Sequence, residues 1–200
     1  MKIITISGAS GSGKTTLANY IHKSTPGSLL LSIDRYYLSK TEQINKNGFI
    51  NFDDPSALDL GLIHAQLNDL KNVGHAEVPI YDFTISKRTG YEKVMANNYI
   101  IIDGLFVGAL LSKISDFDVF VDVDLDLALL RRIDRDMRER GRTLESVTNQ
   151  YINDVRPAYF KNIENIKNEA DIIIKNNTSK EHFFKEMAKV LTLISDGPVL

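Results

Sequence analysis

The chain has 200 residues, 43% of them apolar and 25% charged, which suits one compact domain with a sizeable core and argues against wholesale disorder. Its 24 Lys and Arg against 26 Asp and Glu give a net charge of −2, an average that speaks against a general binder of nucleic acid or anionic membrane. The absence of Cys excludes a disulfide scaffold, a thiol nucleophile and a Cys-ligated zinc.

The first ten residues, MKIITISGAS, hold one Lys and an apolar run too short for a signal peptide or a span. A soluble cytoplasmic protein is the expectation. Residues 2–6 are a β-branched run that reads as a strand buried on both faces. Residues 14–23 read as a helix closed by Pro26-Gly27, and 29–33 as a second strand ending at Asp34. Residues 38–53 are polar and read as a loop, and 56–71 as an amphipathic helix. Residues 76–95, with Pro79 and Gly90, suggest a hairpin standing off the main sheet. Strands are expected at 99–103 and 118–123, then a charged helix over 126–140. A helix over 144–168 should kink or break at Pro157. A fifth strand over 170–174, a helix over 179–195 and a loose tail over 195–200 complete the chain. Strands alternating with helices predict an α/β fold around a parallel sheet, with ligands at the carboxyl ends of the strands. Gly8, Asp34 and Asp103 all fall at such ends.

Gly8-Ala9-Ser10-Gly11-Ser12-Gly13-Lys14-Thr15 has the pattern G-x-x-x-x-G-K-[ST] between a strand and a helix, the context a P-loop requires. Its glycines let backbone N–H groups turn toward phosphate oxygens, and the helix beyond adds its positive end. Lys14 supplies a point charge for the β- and γ-phosphates, and the Thr15 hydroxyl can ligate magnesium. GTPase switches, motor or transporter ATPases and small-molecule kinases share this loop. The chain has neither N-K-x-D nor L-S-G-G-Q, which favours a kinase.

Phosphorylating a hydroxyl needs a base near the attacking oxygen and positive charge around the moving phosphoryl group. Asp34 is the candidate base, with turn capping as its alternative role. Asp103 follows three isoleucines at a strand end and fits a magnesium-binding carboxylate, or else opens an Asp-Gly turn. Asp122, Asp124 and Asp126 alternate like metal ligands but read better as caps of the next helix. Six of the nine arginines fall within residues 131–142. On an unbroken helix Arg131, Arg135, Arg138 and Arg142 would share a stripe, offset by Asp134–Arg138 and Asp136–Arg140 pairs. Arg in place of Lys favours bidentate phosphate recognition by a closing lid, with a solvated charged helix as the alternative.

These residues carry a resemblance. GASGSGKTT (8–16), Asp34-Arg35-Tyr36-Tyr37, NFDDPSALD (51–59), PIYDFTISKR (79–88), IIDG (101–104), and FVDVD (120–124), RRIDRDMRERGR (131–142) and QYINDVRPAY (150–159) follow in order. Together they resemble the uridine–cytidine kinase family of P-loop nucleoside kinases over about residues 2–175. Related ribulose-phosphate, pantothenate and nicotinamide-riboside kinases fit the middle motifs less well. The resemblance implies a five-stranded parallel sheet, a β-hairpin over the nucleoside and an arginine-rich lid, all within one domain. It implies transfer of the γ-phosphate of ATP to the 5′-hydroxyl of uridine or cytidine, with Asp34 as base, Lys14 and Arg135 assisting, and Thr15 and Asp103 serving magnesium. Gly8, Ser10, Gly11, Ser12, Gly13, Lys14, Thr15 and Thr16, with Arg140 and Arg142, would hold ATP. Asp53 and Arg132 would hold the ribose, Tyr37, Phe52, Tyr81 and Phe83 would enclose the base, and Gln150 would border the site. Homotetramers are implied as well.

Two positions depart from the family pattern. Asp103 stands where a Glu is usual, and Ser86 stands where a His reads the pyrimidine edge. Ser86 leaves open a same-fold kinase of another ribosyl or small hydroxylated metabolite. A regulator that binds nucleotide without turnover is a third reading, against which the retained Lys14, Asp34 and arginines count.

Overall fold

The computed structural model describes residues 1–196, and side chains through 194. Its centre is a parallel sheet of β1 (Lys2–Gly8), β2 (Leu29–Ser32), β5 (Tyr99–Asp103), β6 (Phe117–Asp122) and β7 (Ile172–Lys175), in the order β2-β5-β1-β6-β7. A separate antiparallel pair, β3 (His75–Asp82) and β4 (Lys87–Met95), forms the expected hairpin. Between these strands lie the helices α1 (Lys14–Ser24), α2 (Lys40–Asn47), α3 (Leu60–Val73), α4 (Val107–Leu111), α5 (Leu125–Arg140) and α6 (Leu144–Gln150). The chain continues through α7 (Arg156–Ala158) and α8 (Ile166–Glu169) and ends in α9 (Lys180–Asp196). Among the described residues, no helix is long and apolar enough to cross a membrane.

Both sheet faces are covered, as continuous β-branched runs demand. Side chains alternate across the pleat. Ile4, Ile6, Ile101, Val119, Val121 and Ile174 meet Leu17 and Ile21 of α1 and Phe183, Met187, Val190 and Ile194 of α9. Ile3, Leu31, Ile100, Ile102 and Phe120 meet Ile63, Leu67 and Leu70 of α3 and Val107 and Leu111 of α4. Each such side chain, fully buried, contributes about 1.5–3 kcal/mol.

The structure corrects four local expectations. The polar stretch 38–53 contains α2, begun by a reciprocal Ser39–Glu42 capping box and ended by Gly48 at φ 79°. The helix expected from 56 begins at Leu60, because Pro55–Ala57 form a separate 3₁₀ turn and Asp59 accepts the Leu62 N–H as N-cap. At Pro157 the expected interruption of the α-helix is present. Wide π turns over Tyr151–Val155 and Tyr159–Ile163 flank α7 and absorb the missing N–H and ring clash. Asp124 occupies the N-cap of α5 but does not cap it. Its carboxylate accepts from Asn177 Nδ2 at 3.0 Å, while Asp122 pairs with Lys167 at 2.8 Å. Of the expected tail, Ser195 and Asp196 belong to α9, and 197–200 lie outside the described residues.

Two arginines fix the hairpin to the body. Arg88 donates to Asp59 Oδ2 at 3.1 Å and to the Tyr36 carbonyl at 2.9 Å. Arg35 bonds the Pro79 carbonyl at 3.4 Å and pairs with Glu92.

Candidate functional site

The carboxyl ends of β1, β2 and β5 converge on one cleft. Beyond β1 the loop turns through left-handed glycines, Gly11 at φ 87° and Gly13 at φ 104°. A Cβ on Gly11 would stand 2.3 Å from the Ala128 carbonyl oxygen of α5, so only Gly fits there. Ser12 is buried, Ser10 half-buried, and Thr15 and Thr16 are exposed at the start of α1. Asn176 donates its Nδ2 to the Ser12 carbonyl at 2.8 Å and so ties the loop to the end of β7. Sequence reasoning gave no sign of that residue.

Lys14 is buried, its ammonium donating to the Ala9 carbonyl at 2.7 Å inside the loop. Burial lowers its pKa to about 8, against the pull of Asp103 and Asp34. Thr15 Oγ1 donates to Asp103 Oδ2 at 2.7 Å, joining the start of α1 to the end of β5. A hydroxyl and a carboxylate side by side are hard oxygen donors, the kind that would suit a magnesium ion.

Asp34 lies on the 3₁₀ turn Ile33–Tyr36 directly after β2. Burial, and after it the Asp103 charge, raise its carboxyl to about 6 against the opposing pull of Lys14, Arg140 and Arg135. A carboxylate in that range can accept a proton near neutral pH.

Beside Asp34 stands an aromatic wall. The ring centroids of Tyr37 and Phe52 are 5.3 Å apart, those of Tyr37 and Tyr81 6.1 Å, and those of Tyr81 and Phe83 5.1 Å. Burial drives the Tyr37 phenol well above its usual pKa, and Asp34 and Asp53 add to the rise, so Tyr37 feels both carboxylates. The four aromatics come from the turn after Asp34, the 51–53 loop and the hairpin. Phe83 is 53% exposed, with the Arg140 guanidinium 6.0 Å from its centroid. Ser86 closes the hairpin turn at φ 53°, the one non-glycine in the left-handed region among the described residues.

Asp53 is buried, and burial raises its pKa against the nearby Arg132. Arg132 Nη1 lies 3.8 Å from Asp53 Oδ1, and Gln150 donates to Asp53 Oδ2 at 2.9 Å. Gln43, from the helix that sequence reasoning missed, is fully buried and accepts the Asn51 N–H at 3.0 Å, bracing this loop.

The arginines differ from the expected stripe. Arg138 is 77% exposed and paired with Asp134, whereas Arg132 is buried and Arg135 turns inward to Ser10 Oγ at 3.4 Å. Both expected acid–arginine pairs form, Asp134–Arg138 at 2.9 Å and Asp136–Arg140 at 3.6 Å. Asp136, however, is a buried residue and not a surface counter-charge. Gly141 ends α5 at φ 61°, and Arg142 returns to Gln150 Oε1 at 2.5 Å. Lys14, Thr15, Asp34 and Asp103 thus gather at the strand ends, and the arginines run between the two flanks, Arg135 at Ser10 of the loop and Arg132 and Arg140 at Asp53 and Phe83.

A parallel sheet whose first strand runs into such a loop, faced by a carboxyl able to accept a proton, defines a P-loop phosphotransferase fold. Among solved structures, a putative fructose transport system kinase from Silicibacter sp. TM1040 is similar at a TM-score of 0.71 and 18% identity. The match covers 86% of this chain and 89% of that one. The model of the Phosphoribulokinase / Uridine kinase family matches residues 3–181. Sequence relatives include a uridine kinase of Borrelia duttonii, 38% identical with 98% of each chain covered. Another is a uridine kinase of Staphylococcus epidermidis, 41% identical over 96% of this chain and 97% of that one. The chain belongs to the phosphoribulokinase/uridine kinase family and is an ATP-using enzyme that phosphorylates an alcohol acceptor.

Proposed function

We propose that the protein transfers the γ-phosphate of ATP to the 5′-hydroxyl of uridine or cytidine. The observation that carries this reading is the place of Asp34. Its carboxyl, raised to about 6, is within electrostatic reach of Lys14 on the phosphate side and of Tyr37 on the acceptor side. The names of the sequence relatives support a nucleoside acceptor.

In this reading Asp34 takes the proton of the attacking hydroxyl, so that the oxygen can attack phosphorus as ADP leaves. Lys14 and the N–H groups of Gly8–Thr16 hold the phosphates. Arg135, Arg140 and Arg142 add positive charge as it is needed, and residues 131–142 act as a lid. Asp53 and Arg132 orient the ribose through its hydroxyls, with Gln150 at their side. Tyr37, Phe52, Tyr81 and Phe83 enclose the base, and the hairpin over 76–95 covers it. Thr15 and Asp103 would hold magnesium, which supplies charge neutralisation between β- and γ-phosphates. A homotetramer and a cytoplasmic location belong to the proposal too, the first from the family resemblance and the second from the use of ATP. Ser86 supports a second reading, another ribosyl or hydroxylated acceptor, because its short side chain offers less to a pyrimidine edge.

The test is a competition among uridine, cytidine, purine nucleosides and other ribosyl compounds with ATP and magnesium. Uridine and cytidine are expected to have the highest kcat/KM. Robust turnover of a different acceptor and none of uridine would replace the substrate assignment.

A further inference from the structure

Asp136 is fully buried, yet it lies in the most arginine-rich stretch of the chain. Four guanidiniums face its one carboxylate. Arg135 approaches Oδ1 with Nη2 at 2.8 Å and Nε at 2.9 Å. Arg140 lies 3.6 Å from Oδ1, and Arg132 and Arg142 each lie 3.6 Å from Oδ2. The backbone holds the same centre. The N–H groups of Gly141 and Arg142 both turn back to the Asp136 carbonyl, the second at 3.1 Å. That turn is what returns Arg142 to the cluster after the helix has ended.

The cluster is over-positive and incompletely paired. Four like charges this close repel one another and would disperse into solvent unless a buried counter-charge gathered them. Asp136 Oδ2 and Arg132 Nε are buried and without a hydrogen-bond partner among the described residues. The cluster also has two ends. Arg135 reaches Ser10 of the phosphate loop at 3.4 Å. At the other end, Gln150 accepts from Arg132 at 3.0 Å and from Arg142 at 2.5 Å while donating to Asp53 at 2.9 Å.

We propose that Asp136 is a positioning residue, the buried anion that gathers Arg132, Arg135, Arg140 and Arg142 and, through Arg132 and Gln150, couples occupancy of the Asp53 side to placement of arginines on the phosphate side. A nucleoside hydroxyl that engages Asp53 draws on the Gln150 and Arg132 contacts. That releases Arg142 and shifts the balance around Asp136, so acceptor and nucleotide each favour the arginine arrangement suited to the other. By linkage the effect is reciprocal. The proposal rests on the nucleoside-kinase reading of the site and adds to it a residue and a coupling.

The experiment measures uridine affinity by calorimetry, with and without a non-hydrolysable ATP analogue, in the wild type, in Asp136→Asn and in Gln150→Leu. In the wild type the analogue is expected to tighten uridine binding at least about fivefold. In Asp136→Asn kcat should fall about 100-fold through misplaced arginines. Uridine affinity measured alone should change little, and the analogue should no longer tighten it. Gln150→Leu keeps the buried carboxylate and its arginines, so it decides the matter even where Asp136→Asn fails to fold. It should lose the coupling while affinity for the analogue alone is retained. Coupling absent from the wild type, coupling preserved in either variant, or kcat preserved in Asp136→Asn would overturn the proposal. A wild-type enzyme that leaves uridine unphosphorylated is a failure of the substrate reading instead, and the measurement is then made with the acceptor that the competition identifies.

Discussion

At the scale of the residue, Asp34 and Lys14 carry opposite shifts that define a pH window. Burial raises Asp34 to about 6 and lowers Lys14 to about 8. In the proposed mechanism the base works only when ionised and the lysine only when protonated. In the free enzyme, kcat/KM for ATP should therefore fall below about pH 6 and again above about pH 8. A pH–rate profile checks both limbs. Asp34→Asn should lower turnover at least about 1,000-fold, with ATP still binding. A carboxyl raised on folding contributes stability that is fully present below its unfolded pKa and is lost as pH rises through the folded value. Charged Asp34 thus burdens the fold at neutral pH, and Asp34→Asn should gain about 2 kcal/mol there, less whatever solvent screening removes. A denaturant titration measures the difference. Asp34 was legible in the sequence because it follows an apolar run that reads as a strand, although the strand itself stops at Ser32. Asp136 was not. Two acids of the same type, Asp134 and Asp136, each stand four residues before an arginine, and only the rotation of α5 against the P-loop leaves one 58% exposed and the other buried.

At the scale of the element, the hairpin contributes Tyr81, Phe83 and Ser86, yet its two strands form no ladder with the main sheet. Its placement depends on Arg35 and Arg88, and Arg88 is the better buried of the two. Arg88→Ala should therefore raise the acceptor KM about tenfold and leave the ATP KM within about twofold, since a shifted wall misplaces only the acceptor. Steady-state kinetics with each substrate varied would separate the two. The hairpin was legible from two short extended pieces around Pro79 and Gly90, but its anchors were not, because an arginine that hydrogen-bonds a distant carbonyl leaves no local pattern. Helix α2 shows the reverse. Its Ser39–Glu42 box and Gly48 stop were both present in a stretch whose low apolar content hid them. The π turns around Pro157 had no such signal, because they answer to tertiary packing, which seats Tyr159 and Ile163 in the core.

At the scale of the whole molecule, all five strands of the sheet were readable from their short apolar runs, while their lateral order was not, since each strand reads alike on both faces. Ile101, in β5, faces α1 and α9 and is wholly buried. Ile101→Ala should cost about 3–4 kcal/mol, seen as a lower denaturation midpoint, with kcat per folded molecule unchanged. The bond from Asn176 to the Ser12 carbonyl joins groups 164 residues apart. A chain emerging during synthesis therefore has its phosphate loop, its lysine and its magnesium-type ligands long before it has the clamp that holds the loop. The loop gains this tie to β7 only after residue 176 has been added. Fragments ending short of Asn176 should therefore hold ATP more weakly than a chain that carries it, a difference that a binding titration reads.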